Sequence, residues 1–459
     1  MARSDLHVIV VGGGLGGLAV TLLLARRGHR VTLVERDADT PRGGPDQLVS
    51  GWARPGVPQA RHPHNFLARS VRVLRDQAPD VLESLESRGT LKIPVDLGDG
   101  TSDALLCSRR PVYEAVVRQA LTAEPAVTVR AGTTVTDLVV RPGQVPVVEG
   151  VVTGARETIR ADLVVDAAGR RSRLSVMLEA HGARPAPATR QGCPLMYISR
   201  YYRLRPGRDY PRLDSPIMAF IGWARSMAFP ADNGTFALLA TIAAGDPLRR
   251  QLTTEAGFHR FHSAVPVIRP WLAAGEPISP IRVMARLENS YRRLADRDGP
   301  VAGGVMLLGD CCIHTNPTAG RGVSLAFAQA EHLALTIGGA TDPLAYTAGF
   351  DSWTDAHIGV WYGPQAHADA AMARHIHAEI AGQPTPPPDP AEQLRSAVFH
   401  AARTDADVAV ALRRMLHLVA RPGEVLGNSA VVSQLRALVN ARPELTAVAA
   451  GPTREELVP

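Results

Sequence analysis

The residues with the clearest chemical potential are three glycines and a glutamate near the N-terminus. Gly12, Gly14 and Gly17 have the spacing Gly-x-Gly-x-x-Gly. In such a motif the first glycine makes a tight turn, the second lets the backbone approach a pyrophosphate, and the third lets helix and strand pack closely. The N–H groups at the helix start then bind the diphosphate. Glu35 could accept hydrogen bonds from a ribose, and an acid there disfavours a 2′-phosphate. The pattern predicts a site for FAD or NAD.

The elements around these residues support that interpretation. β-Branched residues from His7 to Val11 predict a buried strand, and apolar residues recur at helical spacing from Leu15 to Arg27, where Gly28 ends the helix. A second strand is predicted at Val31–Glu35. The order strand–helix–strand puts the glycines at the turn after the first strand and the acid at the end of the second.

A second motif decides which nucleotide is bound. Val305-Met-Leu-Leu-Gly-Asp310 predicts a buried strand that ends in an acid, and Asn316-Pro-Thr-Ala-Gly-Arg-Gly322 predicts a loop that leads into a long helix. The pair resembles the Gly-Asp motif of the single-component (group A) FAD-dependent monooxygenases of the aromatic-hydroxylase type. The resemblance implies that the chain binds FAD.

The resemblance also implies how this motif contacts the cofactor. Asp310 would bind the ribitol, and Pro317 would lie beside the isoalloxazine ring. Gly320 and Gly322 would offer backbone N–H groups to the N1–C2=O edge of that ring. Because a helix N-terminus carries a partial positive charge, a helix start here would stabilise an anionic reduced flavin.

A third motif contains Asp166 and Gly169 within the segment Asp162-Leu-Val-Val-Asp-Ala-Ala-Gly-Arg-Arg-Ser-Arg173. It resembles the strand and loop that lie under the FAD in the same family. The aromatic hydroxylases have Asp-Gly where this chain has Asp166-Ala167, and that loop is linked to the nicotinamide cofactor as well as to FAD. The departure argues against direct reduction by NADPH, and either NAD(P)H or an external flavin reductase stays open as the electron source. The Asp-Ala-x-Gly form is similar to a bacterial natural-product tailoring branch.

Two further segments resemble parts of that branch. Gly56-Val-Pro-Gln-Ala-Arg-His-Pro-His64 is similar to a loop of the polyether-epoxidase-like flavoproteins, and Cys107-Ser-Arg109 is similar to the segment whose arginine approaches the FAD phosphates. His62 and His64 lack a third ligand nearby, so we predict no metal site. No catalytic residue is assigned, because the flavin carries the chemistry. The predicted cofactor contacts are Gly12, Gly14, Gly17, Glu35, Arg36, Arg61, Arg109, Asp166, Gly169, Asp310, Pro317, Gly320 and Gly322.

Composition narrows the class of protein. Of 459 residues, 45% are hydrophobic and 20% are charged, as is ordinary for globular proteins. The net charge is +6, but the arginines are spread along the chain and Lys92 is the sole lysine, so we predict no nucleic-acid partner. The apolar run near the N-terminus is too short for a signal peptide or a membrane span. We therefore expect a cytoplasmic location and no membrane partner.

The predicted fold class is α/β, in three parts. An FAD-binding Rossmann-like domain of the glutathione-reductase and aromatic-hydroxylase type occupies 1–185 and 295–340. A mostly antiparallel β-sheet substrate domain occupies 186–294, and C-terminal helices occupy 341–459. The assignment follows from the order of the motifs, since the first and third precede the strand-rich region and the second follows it.

Several local predictions can be compared with the structure. Asn233-Gly234 predicts a β-hairpin between strands at 217–229 and 236–242, because these two residues favour the turn that matches the twist of paired strands. Single helices are predicted at Phe66–Arg88 and Pro247–Ser263, and a last helix is predicted at Ser429–Asn440. The strand-rich region between Arg190 and Arg293 also supplies the expected substrate lining, which consists of Tyr197, Phe220, Trp223, Met227 and Phe229.

The resemblance implies one main activity and leaves one alternative open. In the family, reduced flavin reacts with O₂ to give a C4a-hydroperoxide, so the main expectation is epoxidation or hydroxylation of a large apolar polyketide-like natural product. The alternative is a redox-neutral [4+2] cyclase that forms a decalin and keeps FAD as a structural element. The Trp-x-Trp-x-Ile-Pro motif of the flavin halogenases is absent, which argues against halogenation.

Overall fold

A computed structural model describes residues 5–211, 213, 217–384, 386–427, 432, 433, 435, 437, 441 and 451–457. Its strands, in chain order, are β1 His7–Val11, β2 Arg30–Glu35, β3 Asn65–Phe66, β4 Leu91–Val95, β5 Asp103–Cys107, β6 Val127–Ala131, β7 Val135–Arg141, β8 Val147–Thr153, β9 Thr158–Arg160, β10 Leu163–Asp166, β11 Ala188–Cys193, β12 Leu195–Leu204, β13 Met218–Phe220, β14 Arg225–Pro230, β15 Thr235–Ala243, β16 Gly275–Pro277, β17 Arg282–Met284, β18 Leu287–Arg292, β19 Ala295–Asp296, β20 Gly299–Pro300, β21 Val305–Leu307 and β22 Ile313–His314.

The α-helices are numbered in the same way. They are α1 Leu15–Ala25, α2 Pro45–Gly51, α3 Ala68–Gln77, α4 Pro79–Ser87, α5 Arg110–Thr122, α6 Leu174–Ala180, α7 Arg249–Leu252, α8 Glu255–Ala264, α9 Arg269–Ala274, α10 Gly322–Thr336, α11 Pro343–His357, α12 Tyr362–Ile380, α13 Pro390–Ala401, α14 Ala406–Leu416 and α15 Pro422–Leu426.

A five-stranded parallel sheet contains the strands that precede all three predicted motifs. Its strand order is β21-β10-β1-β2-β6, and every pair in it is parallel. Such strands are covered on both faces, which is why they consist of continuous apolar runs. Helices α1, α5 and α10 bury apolar side chains against one face of this sheet. All three predicted motifs therefore follow strands of a single sheet, at its carboxyl edge, where α/β proteins bind ligands.

A second, antiparallel sheet separates two apolar layers. Its order is β13-β14-β15-β12-β16, and β17 also pairs with β12. One face packs on α8 and α9 through the fully buried Trp223, Phe236, Phe258 and Phe261. The other face packs against α12. These parallel and antiparallel sheets confirm the predicted fold class.

The predicted hairpin is confirmed at Asn233-Gly234. Both residues have positive φ, 54° and 65°, and they connect β14 to β15 with Pro230 opposite Phe236. The strand predicted at 217–229 is interrupted, because Gly222 turns the chain with a φ of 82° between β13 and β14.

Two predicted helices are each split in two. Phe66–Arg88 contains α3 and α4, which are separated where Pro79 follows Ala78, since the residue before a proline disfavours helical geometry. Pro247–Ser263 contains α7 and α8, because the Thr254 hydroxyl caps a new helix by accepting from Gly257 N. The helix predicted at Ser429–Asn440 lies mostly outside the described residues.

The C-terminal part of the described chain is helical from α11 to α15. None of the helices in the described ranges is long and apolar enough to cross a membrane. The described segment 451–457 returns to the antiparallel sheet, where Pro452 O accepts a hydrogen bond from Trp223 Nε1 at 3.1 Å.

Candidate functional site

The first glycine motif has a backbone that only glycine can adopt. Gly12 has a φ of 104° and lies so close to the next loop that a Cβ would be 2.5 Å from Ala167 O. A Cβ on Gly17 would overlap Gly12 O. Gly14 differs, because a Cβ there would meet only Arg110 Nη2, at 3.9 Å. The motif thus packs tightly on the protein side and stays open at Gly14, where α1 begins.

Glu35 lies directly against this turn. It is 5% exposed, and its Oε2 accepts a hydrogen bond from Gly13 N at 2.6 Å while its Oε1 accepts from Asp37 N at 2.8 Å. The carboxylate therefore fixes the glycine loop. The neighbouring Arg36 is exposed and its Nε lies 4.0 Å from Asp37 Oδ1.

Sequence reasoning missed a cluster of buried arginines beside the glycine loop. Arg54 Nη2 donates to Gly13 O at 2.9 Å and lies 2.5 Å from Glu114 Oε1. Arg118 is 5% exposed, and its Nη1 and Nη2 find no hydrogen-bond partner among the described residues. Burial, followed by the charge of Arg54, lowers the pKa of Arg118. Arg54 is balanced by the carboxylates of Glu35, Asp37 and Glu114. The Nη atoms of Arg118 have no such hydrogen bond, and a buried donor without an acceptor is costly, so Arg118 is the member of the cluster suited to bind an acceptor on a ligand.

Two of the three predicted arginine contacts, Arg109 and Arg61, have other partners. Arg109 forms a buried bidentate ion pair with Asp232, with Nη2–Oδ2 at 2.6 Å, and its Nη1 lies 2.8 Å from Asp46 Oδ1. The adjacent Arg110 is the one beside Gly14. Arg61 donates to Ser50 O at 3.2 Å near the surface. No sequence signal separates Arg109 from Arg110, because both open the same helix.

The second motif presents a free carboxylate and an open loop. Asp310 is half-buried, and no hydrogen-bond or ion-pair partner for it occurs in the described part of the chain. Its Oδ1 would lie 3.6 Å from a Cβ on Gly322, at the start of α10. Gly320 adopts the left-handed conformation with a φ of 63°, and Pro317 is exposed. A carboxylate and the start of a helix thus lie together directly after β21, at the carboxyl edge of the parallel sheet.

The acid of the third motif hydrogen-bonds to its own loop. Asp166 is fully buried, and its carboxylate accepts from Ser172 Oγ at 2.5 Å and from Ala168 N at 3.0 Å. Burial, opposed by these two hydrogen bonds, raises the pKa of Asp166. Gly169 turns the loop with a φ of 80°. In this structure Asp166 holds the loop in shape, and the side of the loop toward Gly12 is formed by Ala167.

The segment around His62 connects the loops to the antiparallel sheet. His62 Nδ1 lies 3.0 Å from Ser199 Oγ, and Tyr201 Oη donates to His62 O at 3.1 Å. Burial, followed by the charge of Arg282, lowers the pKa of His62 to about 4, so the ring is neutral at pH 7. A Cβ on Gly320 would be 3.7 Å from Asn65 O. This segment therefore touches both the sheet and the glycine end of the second motif.

The predicted substrate lining is brought together in part. Tyr197, Phe220, Met227 and Phe229 share one apolar cluster with Met372 and Ile376 of α12. Trp223 is on the opposite face of the sheet, where its ring contacts Phe261 at a centroid distance of 5.7 Å. The break at Gly222 separates Trp223 from the others. Its assignment to the same lining is therefore corrected.

A buried polar network supports the loop that carries Pro317. Tyr197 Oη hydrogen-bonds to Asn316 Oδ1 and Thr318 Oγ1. Asn316 Nδ2 donates to Asp369 Oδ1 at 2.8 Å, and Asn289 Nδ2 donates to Asp369 Oδ2 at 2.7 Å. Asn289 Oδ1 in turn accepts from Asn316 N at 2.6 Å. The network fixes the loop between the antiparallel sheet and α12.

The arrangement fits FAD. The open backbone at Gly14 and the unpartnered guanidinium of Arg118 suit a diphosphate at the start of α1. The free carboxylate of Asp310 suits a polyol, and the start of α10 beyond Gly320 suits a ring edge that accepts hydrogen bonds. Within the described residues no group of His, Cys, Asp and Glu side chains could hold a metal ion.

Comparison with known proteins agrees with this geometry. Residues 7–174 match the family described as FAD dependent oxidoreductase. Protein Rv3254 of Mycobacterium tuberculosis is 26% identical over 366 residues, which are 71% of this chain and 72% of that protein. FAD-dependent monooxygenase ntnJ of Nectria sp is 24% identical over 356 residues, which are 73% of this chain and 76% of that protein.

Solved structures share the fold. PqsL, a probable FAD-dependent monooxygenase from Pseudomonas aeruginosa, has a TM-score of 0.60 at 17% identity and covers 82% of this chain and 99% of its own. The Diels-Alderase PyrE3 of pyrroindomycin biosynthesis has a TM-score of 0.58 at 17% identity and covers 90% of this chain and 80% of its own. The family match and the named relatives support FAD as the cofactor and an enzyme of the FAD-dependent monooxygenase type.

Proposed function

We propose that the chain is a tailoring enzyme that epoxidises or hydroxylates a large apolar, polyketide-like natural product. The observation that carries the proposal is the position of the second motif. Its exposed Pro317 lies between the apolar face of the antiparallel sheet, reached through Tyr197, and the start of α10. A substrate held on that face would lie beside the ring edge that Gly320 and Gly322 are placed to bind.

FAD, when bound and reduced, supplies the activation of O₂ and delivers one oxygen atom. The chain itself orients and encloses the reactants. The backbone N–H groups at the start of α10 would stabilise negative charge on the ring edge, and Asp310 would bind the ribitol. Met227, Met372 and Ile376 are buried in the apolar cluster and exclude water from the substrate side.

The proposed electron source is NAD(P)H or an external flavin reductase. Support for an external source comes from the third motif, where Asp166 is closed in by Ser172 and the place of the family's glycine is taken by Ala167. Stopped-flow reduction of the bound flavin by NADPH, by NADH and by a flavin reductase with FMN would identify the donor.

A redox-neutral [4+2] cyclase is the second candidate. Two observations favour it: the altered Asp166-Ala167 loop, and the likeness in fold to the Diels-Alderase PyrE3 over 90% of this chain. In that reaction the apolar face would fold a polyene, and holding the reacting carbons in place can lower the barrier by about 7–11 kcal/mol. FAD would then brace the walls of the site.

One experiment separates the two candidates. The holoenzyme is incubated with linear polyene and polycyclic polyketide probes, once under ¹⁸O₂ with a reductant and once under argon with the flavin oxidised. The proposed function predicts a product that gains one ¹⁸O atom and forms only in the first condition. An isomer of unchanged mass that forms under argon would reject it and establish the cyclase.

A further inference from the structure

Arg225 is a cation without a partner on the apolar face of the antiparallel sheet. Directly paired residues of antiparallel strands point to the same face, and the register aligns Tyr197 of β12 with Thr241 of β15, Thr241 with Arg225 of β14, and Arg225 with Phe220 of β13. This row begins at the tyrosine that contacts the Pro317 loop and ends in the predicted lining. Arg225 is the charged member of the row.

The guanidinium of Arg225 makes no hydrogen bond or ion pair with any described residue. Its Cζ lies 5.6 Å from the centroid of the Phe220 ring, and its Nε is buried without a partner. The hydroxyl of Thr241, next to it in the row, is also fully buried and unpartnered. Two neighbouring polar groups without partners in an apolar layer indicate a polar group that the protein does not supply.

The surrounding charges leave an excess of positive charge. Arg225 and Arg321 are both near Asp369, and burial, as the first cause, lowers the pKa of each arginine. The Asp369 carboxylate itself accepts hydrogen bonds from amide groups of Asn289, Asn316 and Gln365, and from neither arginine. Arg321 donates to Gln365 Oε1 at 2.9 Å. Arg225, Arg321 and Arg395 therefore share the charge of one carboxylate, which hydrogen-bonds to amide groups and to neither Arg225 nor Arg321.

We propose that Arg225 is a specificity-determining residue that binds an anionic oxygen of the substrate, such as an ionised carboxyl, enol or phenol. This inference rests on the proposed function, since it takes the apolar face as the substrate site. The planar fork of a guanidinium suits such a group, and the Thr241 hydroxyl is placed to donate a further hydrogen bond. Fixing one acidic end of an otherwise apolar substrate would set which carbon lies beside Pro317.

A structural role for Arg225 makes a different prediction. If the side chain served only to pack on Phe220, its removal would loosen the sheet and lower the melting temperature. A residue kept for binding has the opposite signature, because replacing an unpartnered buried charge with an apolar side chain of similar length commonly leaves stability unchanged or raises it.

The test compares Arg225→Met and Arg225→Lys with the control Arg205→Met. Arg205 directly follows β12, is exposed and pairs with Glu276, so the control removes an arginine outside the apolar face. FAD-loaded proteins are titrated with 2-naphthoate and with the neutral, equally sized 2-naphthamide, and binding is followed by the shift in flavin absorbance. Melting temperatures of the same proteins are measured without ligand. These readouts need no turnover.

We expect wild type and Arg205→Met to bind the carboxylate roughly tenfold or more tightly than the amide, as a charge-assisted hydrogen bond would give. Arg225→Met should reduce that ratio to about one without lowering the melting temperature, and Arg225→Lys should retain part of it. Equal binding of the two probes by wild type, binding of neither, or an unchanged ratio in Arg225→Met would overturn the inference. If wild type prefers the anion but converts its substrate to an isomer of unchanged mass, the inference about Arg225 stands and the proposed oxygenation is rejected. Failure of the inference and failure of the proposed function are therefore distinguishable.

Discussion

At the scale of single residues, Asp310 and Glu35 have different surroundings although both are predicted cofactor contacts. Asp310 has no partner among the described residues, whereas Glu35 holds Gly13 N and Asp37 N. Replacing Asp310 therefore breaks no hydrogen bond of the described apoprotein. Replacing Glu35 breaks the two hydrogen bonds that hold the glycine loop. The two substitutions separate cofactor binding from local folding.

Asp310→Ala should weaken FAD binding by about tenfold to a hundredfold, the effect of one charge-assisted hydrogen bond of about 1.5–3 kcal/mol. The melting temperature of its apoprotein should stay at the wild-type value. Glu35→Ala should weaken FAD binding and also lower the melting temperature of the apoprotein. FAD titration followed by flavin fluorescence and apoprotein melting curves check both. Unchanged FAD affinity in Asp310→Ala would remove this residue from the site.

The sequence predicted Glu35 from its place at the end of the second strand of the strand–helix–strand unit, and Asp310 from the resemblance of its segment to the Gly-Asp motif of the family. It did not predict Arg54, Arg110 or Arg118. Arginine occurs throughout the chain, and which arginines turn toward Gly13 and Gly14 depends on how the loop at residues 41–63 folds back over α5. Contacts of that kind are set by tertiary packing, which spacing in the sequence does not encode.

At the scale of elements, the turn between β14 and β15 joins the antiparallel sheet to the nucleotide-binding part. Asp232 in this turn is fully buried and pairs with Arg109 at the start of α5, and Asn233 N donates to Gly89 O at 3.0 Å. A fully buried ion pair is costly to break from one side only, because the remaining charge has no solvent. The hairpin therefore also connects the antiparallel sheet to the start of α5 and to the segment that follows α4.

Asp232→Asn should lower the free energy of unfolding by about 3–5 kcal/mol, the usual cost of removing one partner of a buried ion pair, because Arg109 then keeps only the exposed Asp46 of its two carboxylate partners. Asp46→Asn is the matched control, because Asp46 pairs with the same Arg109 but is 59% exposed. It should cost less than about 1 kcal/mol. Urea unfolding of both variants measures the difference. Equally small losses would show that the pair does not hold the two parts together.

Element types were predicted from local patterns more reliably than element ends or faces. The Asn233-Gly234 turn was predicted because these two residue types alone favour its backbone geometry. The breaks at Ala78 and Gly222 were missed because each depends on a single residue within an otherwise periodic segment. Trp223 was expected on the substrate side, but the turn at Gly222 directs its ring into the opposite core. One residue of shift in a strand reverses its faces, which explains this error.

At the scale of the whole molecule, buried neutral histidines make stability depend on pH. Burial, as the first cause, lowers the pKa of His62 and His417 to about 4 and of His262 to about 3, from an ordinary value of 6.5. Their ring nitrogens contact Ser199 Oγ, Ala68 N and Ser226 Oγ. Below pH 6.5 the unfolded chain binds protons that the native chain does not yet bind. The contribution of these histidines to the free energy of unfolding is therefore fully present above about pH 6.5. It is lost progressively as the pH falls toward 4.

The predicted result is a melting temperature that is constant near pH 7–8 and decreases steadily from pH 6.5 to 4. Each pKa unit between native and unfolded states corresponds to about 1.4 kcal/mol, so the loss should be large. His262→Gln should flatten the curve. Calorimetry of the FAD-loaded protein at several pH values measures the slope. A flat profile in the wild type would contradict the account.

The central claim for the whole molecule is that the glycine loop, Asp310 and the start of α10 together hold one FAD without a covalent bond. The most direct measurement is titration of the apoprotein with FAD, FMN and NAD, followed by acid precipitation of the loaded protein. The account predicts saturation at one FAD per chain, much weaker binding of FMN and NAD, and release of all yellow flavin into the acid supernatant. An apoprotein that does not bind FAD, or flavin that stays with the precipitated chain, would contradict it.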